Sequence, residues 1–360
     1  MRVIFAGGGT GGHLFPALAV AKELRRRDAS HEILFVGTER GLEARSVPAA
    51  GFELRTIRAA SLKGISPVRM LAHLLVLPRS LVEAFILLKK IRPQVVVGTG
   101  GYSAGPLVLV AALHGIPTLL IEPNSVPGLT NRLLAMWITR AAISFEETRR
   151  YFGNKAVRTG SPVREEFFRV SPRARPCAPA VLVFGGSQGS VAINRAVMEA
   201  LPLLRDRIPS TEFYHQTGER DYNDVREAYR RHGLTARVLS FIEDMPDIFA
   251  KIDLVIARSG AVTVAELAAS GKASLLVPFP AATDHHQTEN ARDMERAGAA
   301  RLIPQSELSG ERLAAEISSL LTQPDRLAKM EARARSRARP EATRDIADLI
   351  EKLAAHSSHP

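Results

Sequence analysis

Between Phe5 and His13 the chain reads FAGGGTGGH, five glycines and a threonine set directly before an imidazole. Glycine costs backbone entropy on folding, so such a run needs a geometric cause. One cause is a loop whose N–H groups approach a bound phosphate at the mouth of a helix, where unpaired amides and the positive helix end favour anions. A second run, ARSGAVTVAELAASG from Ala257 to Gly271, offers the same chemistry. There Ser259 and Gly260 make a turn after an apolar strand, and Ala261, Val262 and Thr263 open a helix suited to a diphosphate. Glu266 follows within the first two turns, and its carboxylate can accept from two vicinal hydroxyls of the kind a ribose presents. A glutamate at this position also serves simply to offset the helix dipole. The next segment, VPFPAATDHHQTENA, carries the amides of Gln287 and Asn290. Each amide is both donor and acceptor, which suits sugar hydroxyls, and a plain polar helix face is the alternative. Asp284, His285 and His286 lack the spacing of a metal site, so no metal is expected.

Gly7, Gly9 and Gly12 also fit G-x-G-x-x-G, and Glu39 follows the second apolar run where a ribose-binding acid would stand. A nicotinamide or flavin enzyme is therefore a rival reading, although the motif alone is weak. Against it, Thr10 and His13 place polar groups at the helix mouth, and the second half carries its own nucleotide-like segment.

These loops need elements to hold them. Apolar, β-rich runs alternate with helical patterns: RVIFAG, a helix from about Phe15 to Arg27, EILFVG; later PQVVVGTGG, a helix near Leu107–His114, PTLLIEP. The alternation predicts an α/β protein with parallel sheets covered by helices. The stretch GSPVREEFFRVSPRARPCAP, near Gly160–Pro179, reads as a linker, and AVLVFGGSQGSVAINRAV then repeats the opening theme. Two similar domains facing a central cleft are the simplest account, and ligands in such sheets bind at the carboxyl ends of strands. The 360 residues suffice for this division, and 46% hydrophobic with 24% charged residues excludes a disordered chain. The single cysteine, Cys177, excludes an internal disulfide framework. The apolar run in MRVIFAGGG is too short for a signal peptide, so a cytoplasmic location is expected. Residues 1–164 hold 22 Lys and Arg against 10 Asp and Glu, whereas residues 165–360 hold 26 against 27. The whole excess of positive charge thus belongs to the first half, and it implies an anionic partner or a merely solvated basic face.

The blocks GGGTGGHLFPALA, GTGGYSAGP, EPNSVPGLTNR, GSPVR, GGSQGS, HQTGERD, FIEDM, RSGAVTVAE and DHHQTENA together resemble, in order and spacing, the bacterial MurG family. The resemblance runs from the first strand to about Gly298. It implies a GT-B fold of two Rossmann-like domains, with 1–163 holding the acceptor, 164–340 holding UDP-GlcNAc, and 341–360 a helix returning to the first domain. It implies transfer of GlcNAc to undecaprenyl-pyrophosphoryl-MurNAc-pentapeptide, the conversion of lipid I to lipid II, with no cofactor and a setting among cell-wall and division proteins. Carried over by residue, Thr10, Gly11 and Gly12 lie near the sugar and acceptor pyrophosphate, and Asn124 and Arg164 face the donor. Ser187 reaches the diphosphate, Ile242 the uracil, Ala261 to Glu266 (with Val262 and Thr263) the phosphates and ribose, and Gln287 with Asn290 the GlcNAc hydroxyls. The chain departs from the family pattern at Pro123, where glutamine is usual, and at His285, where a second acid is common.

Such a transfer needs a base for the acceptor hydroxyl and stabilisation of departing UDP, which helix N-termini at Ser187 and Ala261 would supply. His13 suits the base by its ordinary titration range, or else positions its loop; Glu122 is the second candidate base. For a lipid acceptor, the basic, leucine-rich stretch Ser61–Arg92 reads as a peripheral contact with an anionic membrane on the cytoplasmic side, or as core-facing helix. Its charges and Pro78 exclude a transmembrane span. Aromatics at 6%, not interleaved with basic residues, argue against nucleic acid. Three classes stay open on the residues alone: an inverting sugar transferase (with antibiotic or glycolipid transferases as sister readings), a dinucleotide oxidoreductase, and a nucleotide-responsive module without catalysis.

Overall fold

The structure is a computed structural model describing residues 1–8, 11–38, 41–57, 67–101, 104–173, 178–282 and 285–356, without the side chains of 67–77. Thr10, Glu39, Cys177 and Asp284 lie outside the described residues. The chain divides into two compact units, Met1–Arg164 with Arg339–Pro360, and Glu165–Ala338.

The first unit runs β1 (Arg2–Gly7), α1 (Gly11–Arg27), β2 (Glu32–Gly37), α2 (Glu43–Ala49), β3 (Glu53–Thr56), α3 (Pro67–Ile91), β4 (Val95–Gly100), α4 (Ala104–Leu113), β5 (Thr118–Glu122), α5 (Leu129–Leu134), β6 (Arg140–Ile143), α6 (Arg149–Phe152) and β7 (Ala156–Arg158). Its strands are near-continuous apolar runs because helices cover both faces of the sheet. The order β3-β2-β1-β4-β5-β6-β7 is parallel throughout. Chain order therefore reverses between β1 and β4, and that switch point is where a crevice opens at the strands' carboxyl ends. On α1, Leu14, Ala17, Leu18, Ala21 and Leu24 recur at helical spacing and are buried. On the opposite face Ala84 and Leu88 of α3, Leu107 and Val108 of α4 and Leu134 of α5 join one cluster with Ile4, Val36 and Leu120. α3 passes through Pro78 without ending.

The second unit runs α7 (Glu165–Phe168), β8 (Ala180–Phe184), α8 (Val191–Arg207), β9 (Glu212–Gln216), α9 (Tyr222–His232), β10 (Ala236–Leu239), α10 (Met245–Lys251), β11 (Leu254–Ala257), α11 (Ala261–Ser270), β12 (Ala273–Leu276), α12 (His286–Arg296), β13 (Ala300–Leu302), α13 (Gly310–Leu321) and α14 (Pro324–Ser336). Its parallel order β10-β9-β8-β11-β12-β13 repeats the reversal, here between β8 and β11. The stretch read as a linker is partly anchored: Phe167 is fully buried, edge-on to Phe249 at 5.0 Å, so burial of an aromatic fixes what its prolines suggested was free.

The last helix, α15 (Ala342–His356), belongs to the first unit and packs on α1. Ile346, Ala347, Ile350 and Ala354 form its buried stripe. Arg27 of α1 reaches Glu351 at 2.7 Å and also pairs with Asp348, closing the contact at its rim.

Candidate active site

In the first unit the switch point is shaped by a register shift. Ala6 pairs with Gly98 and Gly7 with Gly100, which leaves Thr99 as an extra residue on β4. The Thr99 carbonyl lies 2.7 Å from His13 Nδ1, in the first turn of α1. A carbonyl only accepts, so Nδ1 carries the proton and the neutral ring keeps its lone pair on Nε2. His13 is half-buried. Gly11 and Gly12 are the opening residues of α1, and Phe15, one turn on, lies under the Arg164 guanidinium with Cζ 5.0 Å from the ring centre.

Glu122, at the end of β5, has a different surrounding. It is buried, and its carboxylate accepts from Asn124 N and Nδ2 (both 3.0 Å), Asn131 Nδ2 (2.8 Å) and Gly128 N (3.3 Å). Burial pushes its pKa up and these donors pull it back. Both oxygens are engaged by the loop from Asn124 to α5. Asn124 is held there through its Nδ2 and its backbone.

Between the ends of β1 and β2, Glu43 of α2 is fully buried and accepts from Thr38 N (2.9 Å) and Oγ1 (2.8 Å). Its carboxylate fills the space that a side chain at Gly8 would take.

The second unit's switch point is built from both strands. After β8 the loop Gly185–Ser190 leads to α8, with exposed Ser187 at its tip and Ser190 Oγ accepting from Ile193 N. Gly189 has φ +73°, and a Cβ there would stand 1.8 Å from the Thr217 carbonyl oxygen, so only glycine allows the loop to lie against the end of β9. After β11, Arg258 spans the crevice. Its guanidinium donates to Ser190 Oγ (2.8 Å), Gln305 Oε1 (2.7 Å), Val277 O (3.0 Å) and Pro278 O (3.0 Å), and it sits over Phe279. Burial lowers its pKa to about 10, which leaves it cationic at neutral pH. Sequence reasoning quoted Arg258 without giving it a role.

Gly260 caps α11 with no side-chain hydrogen bond, so the amides of Ala261, Val262 and Thr263 begin the helix without an internal acceptor. Glu266 is buried one turn further along the same helix. Ser259 donates to Gln287 O at 2.8 Å, and Asn290 Nδ2 donates to Ser259 O at 3.0 Å. Asn290 is buried; its Nδ2 holds the turn before α11, and its Oδ1 has no hydrogen-bond partner among the described residues. Gln287 is half-buried, with Oε1 accepting from Phe279 N at 2.9 Å. Ile242 is buried and its N–H donates to Gln216 Oε1 at 2.7 Å.

Behind the phosphate-type loop lies a polar network missed in the sequence. Asn194 Nδ2 donates to Thr217 O (2.9 Å) and Asp221 Oδ2 (2.8 Å), and its Oδ1 faces His215 Nε2 at 3.1 Å. Tyr229 OH lies 3.3 Å from His215 Nδ1. A neutral ring donating from Nε2 and accepting at Nδ1 satisfies every member. Burial pushes the His215 pKa down to about 3. The unfolded ring takes a proton below about pH 6.5, so stability is full above that pH and is lost as pH falls towards 3. The expected slope is up to ~1.4 kcal/mol per pH unit. Urea unfolding of the second unit at pH 7, 6 and 5 measures it, and His215→Gln flattens it if the network is read correctly.

Residues 3–143 match the glycosyltransferase family 28 N-terminal domain, and residues 180–350 match the family 28 C-terminal domain. A UDP-N-acetylglucosamine--N-acetylmuramyl-(pentapeptide) pyrophosphoryl-undecaprenol N-acetylglucosamine transferase of Anaeromyxobacter sp. (strain Fw109-5) is 46% identical, covering 98% of this chain and 93% of that protein. The protein of the same name from Myxococcus xanthus (strain DK1622) is 44% identical over 100% of this chain and 95% of its own length. Among solved structures, Acinetobacter baumannii MurG matches with a TM-score of 0.75 at 32% identity, covering 98% of this chain and 99% of that one. Paired parallel sheets with glycine loops at both switch points, matched over nearly the full length, make this chain a GT-B glycosyltransferase of family 28 and a member of the MurG family.

Proposed function

We infer that the chain transfers N-acetylglucosamine from UDP-GlcNAc to the C4 hydroxyl of the MurNAc unit in undecaprenyl-pyrophosphoryl-MurNAc-pentapeptide, turning lipid I into lipid II. The observation that carries this reading is the similarity to transferases of that name along nearly the whole chain. The geometry supplies roles. His13, with its proton fixed on Nδ1 by Thr99, takes the acceptor proton at Nε2 as the hydroxyl oxygen attacks the anomeric carbon. The bond to the UDP oxygen breaks in the same in-line displacement, inverting the α-linkage to β. The leaving diphosphate gains negative charge, which the amides at the start of α11 and around Ser187 stabilise. Glu266 takes the ribose hydroxyls and the free donors of Gln287 take the sugar, while Glu122 holds Asn124 in place.

The membrane is the second partner. Among the described residues no helix is long and apolar enough to cross a bilayer. The expected contact at Ser61–Arg92 lies partly outside the described side chains, yet the rest of α3 exposes Val82, Phe85 and Ile86. α4 packs against both α3 and α5, and beyond it Leu133, Met136 and Trp137 are exposed too. From residue 54 to 145 the sequence has ten Lys and Arg and only two acids, Glu83 and Glu122. Exposed apolar side chains within a cation-rich stretch of sequence suit an anionic leaflet. Trp137 is the single tryptophan and reports on this face directly. With anionic vesicles carrying the lipid acceptor, UDP is released from UDP-GlcNAc and Trp137 emission shifts to the blue, the shift weakening with salt. No UDP release overturns the transferase reading, and unchanged emission with intact turnover overturns the membrane face alone.

A further inference from the structure

Gln216 is the last residue of β9, which lies between β8 and β10 in the sheet. The segment after β8 is the phosphate-type loop, and the segment after β10 leads to Ile242. The Gln216 side chain, 2% exposed, joins the two: Nε2 donates to Gly186 O at 2.8 Å, and Oε1 accepts from Ile242 N at 2.7 Å. Gly186 O also accepts from Gly189 N at 3.0 Å, so this carbonyl is held inward by two donors.

Peptide planarity gives the consequence. In a trans peptide the C=O of one residue and the N–H of the next point in opposite directions. A Gly186 carbonyl pinned towards Gln216 therefore turns the Ser187 N–H away from it, on the exposed side of the loop where a diphosphate would arrive. Within the loop only the Gly189 N–H shares in holding that carbonyl, and Gly186, with φ +94° and open space around it, leaves the peptide room to turn once the Gln216 tether is lost.

We propose that Gln216 is a positioning residue that couples the base-reading and diphosphate-reading parts of the donor site, by fixing the Gly186–Ser187 peptide through one end of its amide and the Ile242 backbone through the other. The proposal rests on the reading of this unit as a UDP-sugar site. Either half of the donor then meets a loop already arranged by the same side chain, so ordering at one end is shared with the other.

The test compares the full-length wild-type chain with Gln216→Met and Gln216→Glu, using UDP-GlcNAc turnover, UDP titration and inhibition by uridine. Methionine keeps the volume and loses both hydrogen bonds. The Met variant is expected to raise the KM for UDP-GlcNAc and the Kd for UDP about tenfold, with kcat within about threefold, and to weaken uridine inhibition. Glutamate keeps an acceptor for Ile242 N–H in either protonation state, so uridine inhibition stays within about twofold of wild type. A variant that merely misfolds in part loses kcat at unchanged KM, which overturns the proposal. Equal uridine inhibition in all three proteins also overturns it, as does UDP binding within about twofold of wild type in the Met variant. Failure of the wild-type chain itself to bind UDP would instead remove the donor-site reading beneath it.

Discussion

Replacing His13 by alanine is expected to lower kcat by about a hundredfold to ten-thousandfold, the range associated with losing a positioned general base. UDP affinity should hardly change, because the residues expected to meet the diphosphate, ribose and uracil (Ser187, Ala261 to Glu266, Ile242) all belong to the second unit. The size of the effect follows from the tautomer. With Nδ1–H spent on the Thr99 carbonyl, Nε2 is the nitrogen able to accept a proton. Glu122, the other candidate, has both oxygens engaged by Asn124, Gly128 and Asn131. His13→Gln distinguishes orientation from proton transfer: its amide can still donate to Thr99 O but has no basic nitrogen, so turnover should stay as low as in the alanine variant. Single-turnover rates with saturating donor measure both. Near-normal rates in either variant would place the base elsewhere.

Arg258→Ala is expected to cost the second unit about 3–5 kcal/mol and to weaken UDP binding by about a hundredfold. Four acceptors from three separate segments share this guanidinium, and hydrogen bonds to a charged donor contribute more than neutral ones. Its loss frees Ser190 from the end of β11, so the loop carrying Ser187 and the turn before α11 are no longer held to a common point. Arg258→Lys should recover little, because an ammonium is a point donor that cannot reach acceptors spread around a planar fork. Urea unfolding and UDP titration of the three proteins decide the matter. Wild-type stability and affinity in the lysine variant would show that charge alone is what the crevice needs.

Much of the architecture was readable before any coordinates. Apolar runs broken by helical periodicity, twice over, are what parallel sheets with covered faces require, and both glycine loops fall where strand order reverses. Helix ends shifted modestly: the helix expected near Leu107–His114 is Ala104–Leu113. Local signals failed where a side chain's direction depends on register or on distant segments. The type of Asn290 suits hydroxyls, but only the fold shows its Nδ2 taken by Ser259 O and its Oδ1 left without a partner among the described residues. Glu122 stands in the sequence as a second candidate base, and only the fold shows four donors on its carboxylate. His215 and Gln216 are adjacent, so β9 sends them to opposite faces, one to the buried network and one to the loops at the sheet's end. Their block HQTGERD was visible as a motif, whereas the division of labour within it was not. Arg258 stands beside the turn before α11, and its four acceptors come from segments that the local sequence does not connect to it.

The extra residue on β4 has a bearing on inheritance. What orients the imidazole is a main-chain oxygen, present whatever amino acid occupies position 99. Codon changes there leave the proton's address on the ring intact, while insertion or deletion of a single residue in that strand would erase it. Selection on this part of the reaction therefore acts on strand length and on Gly100, where a Cβ would stand 2.8 Å from the imidazole, more than on the side chain at position 99.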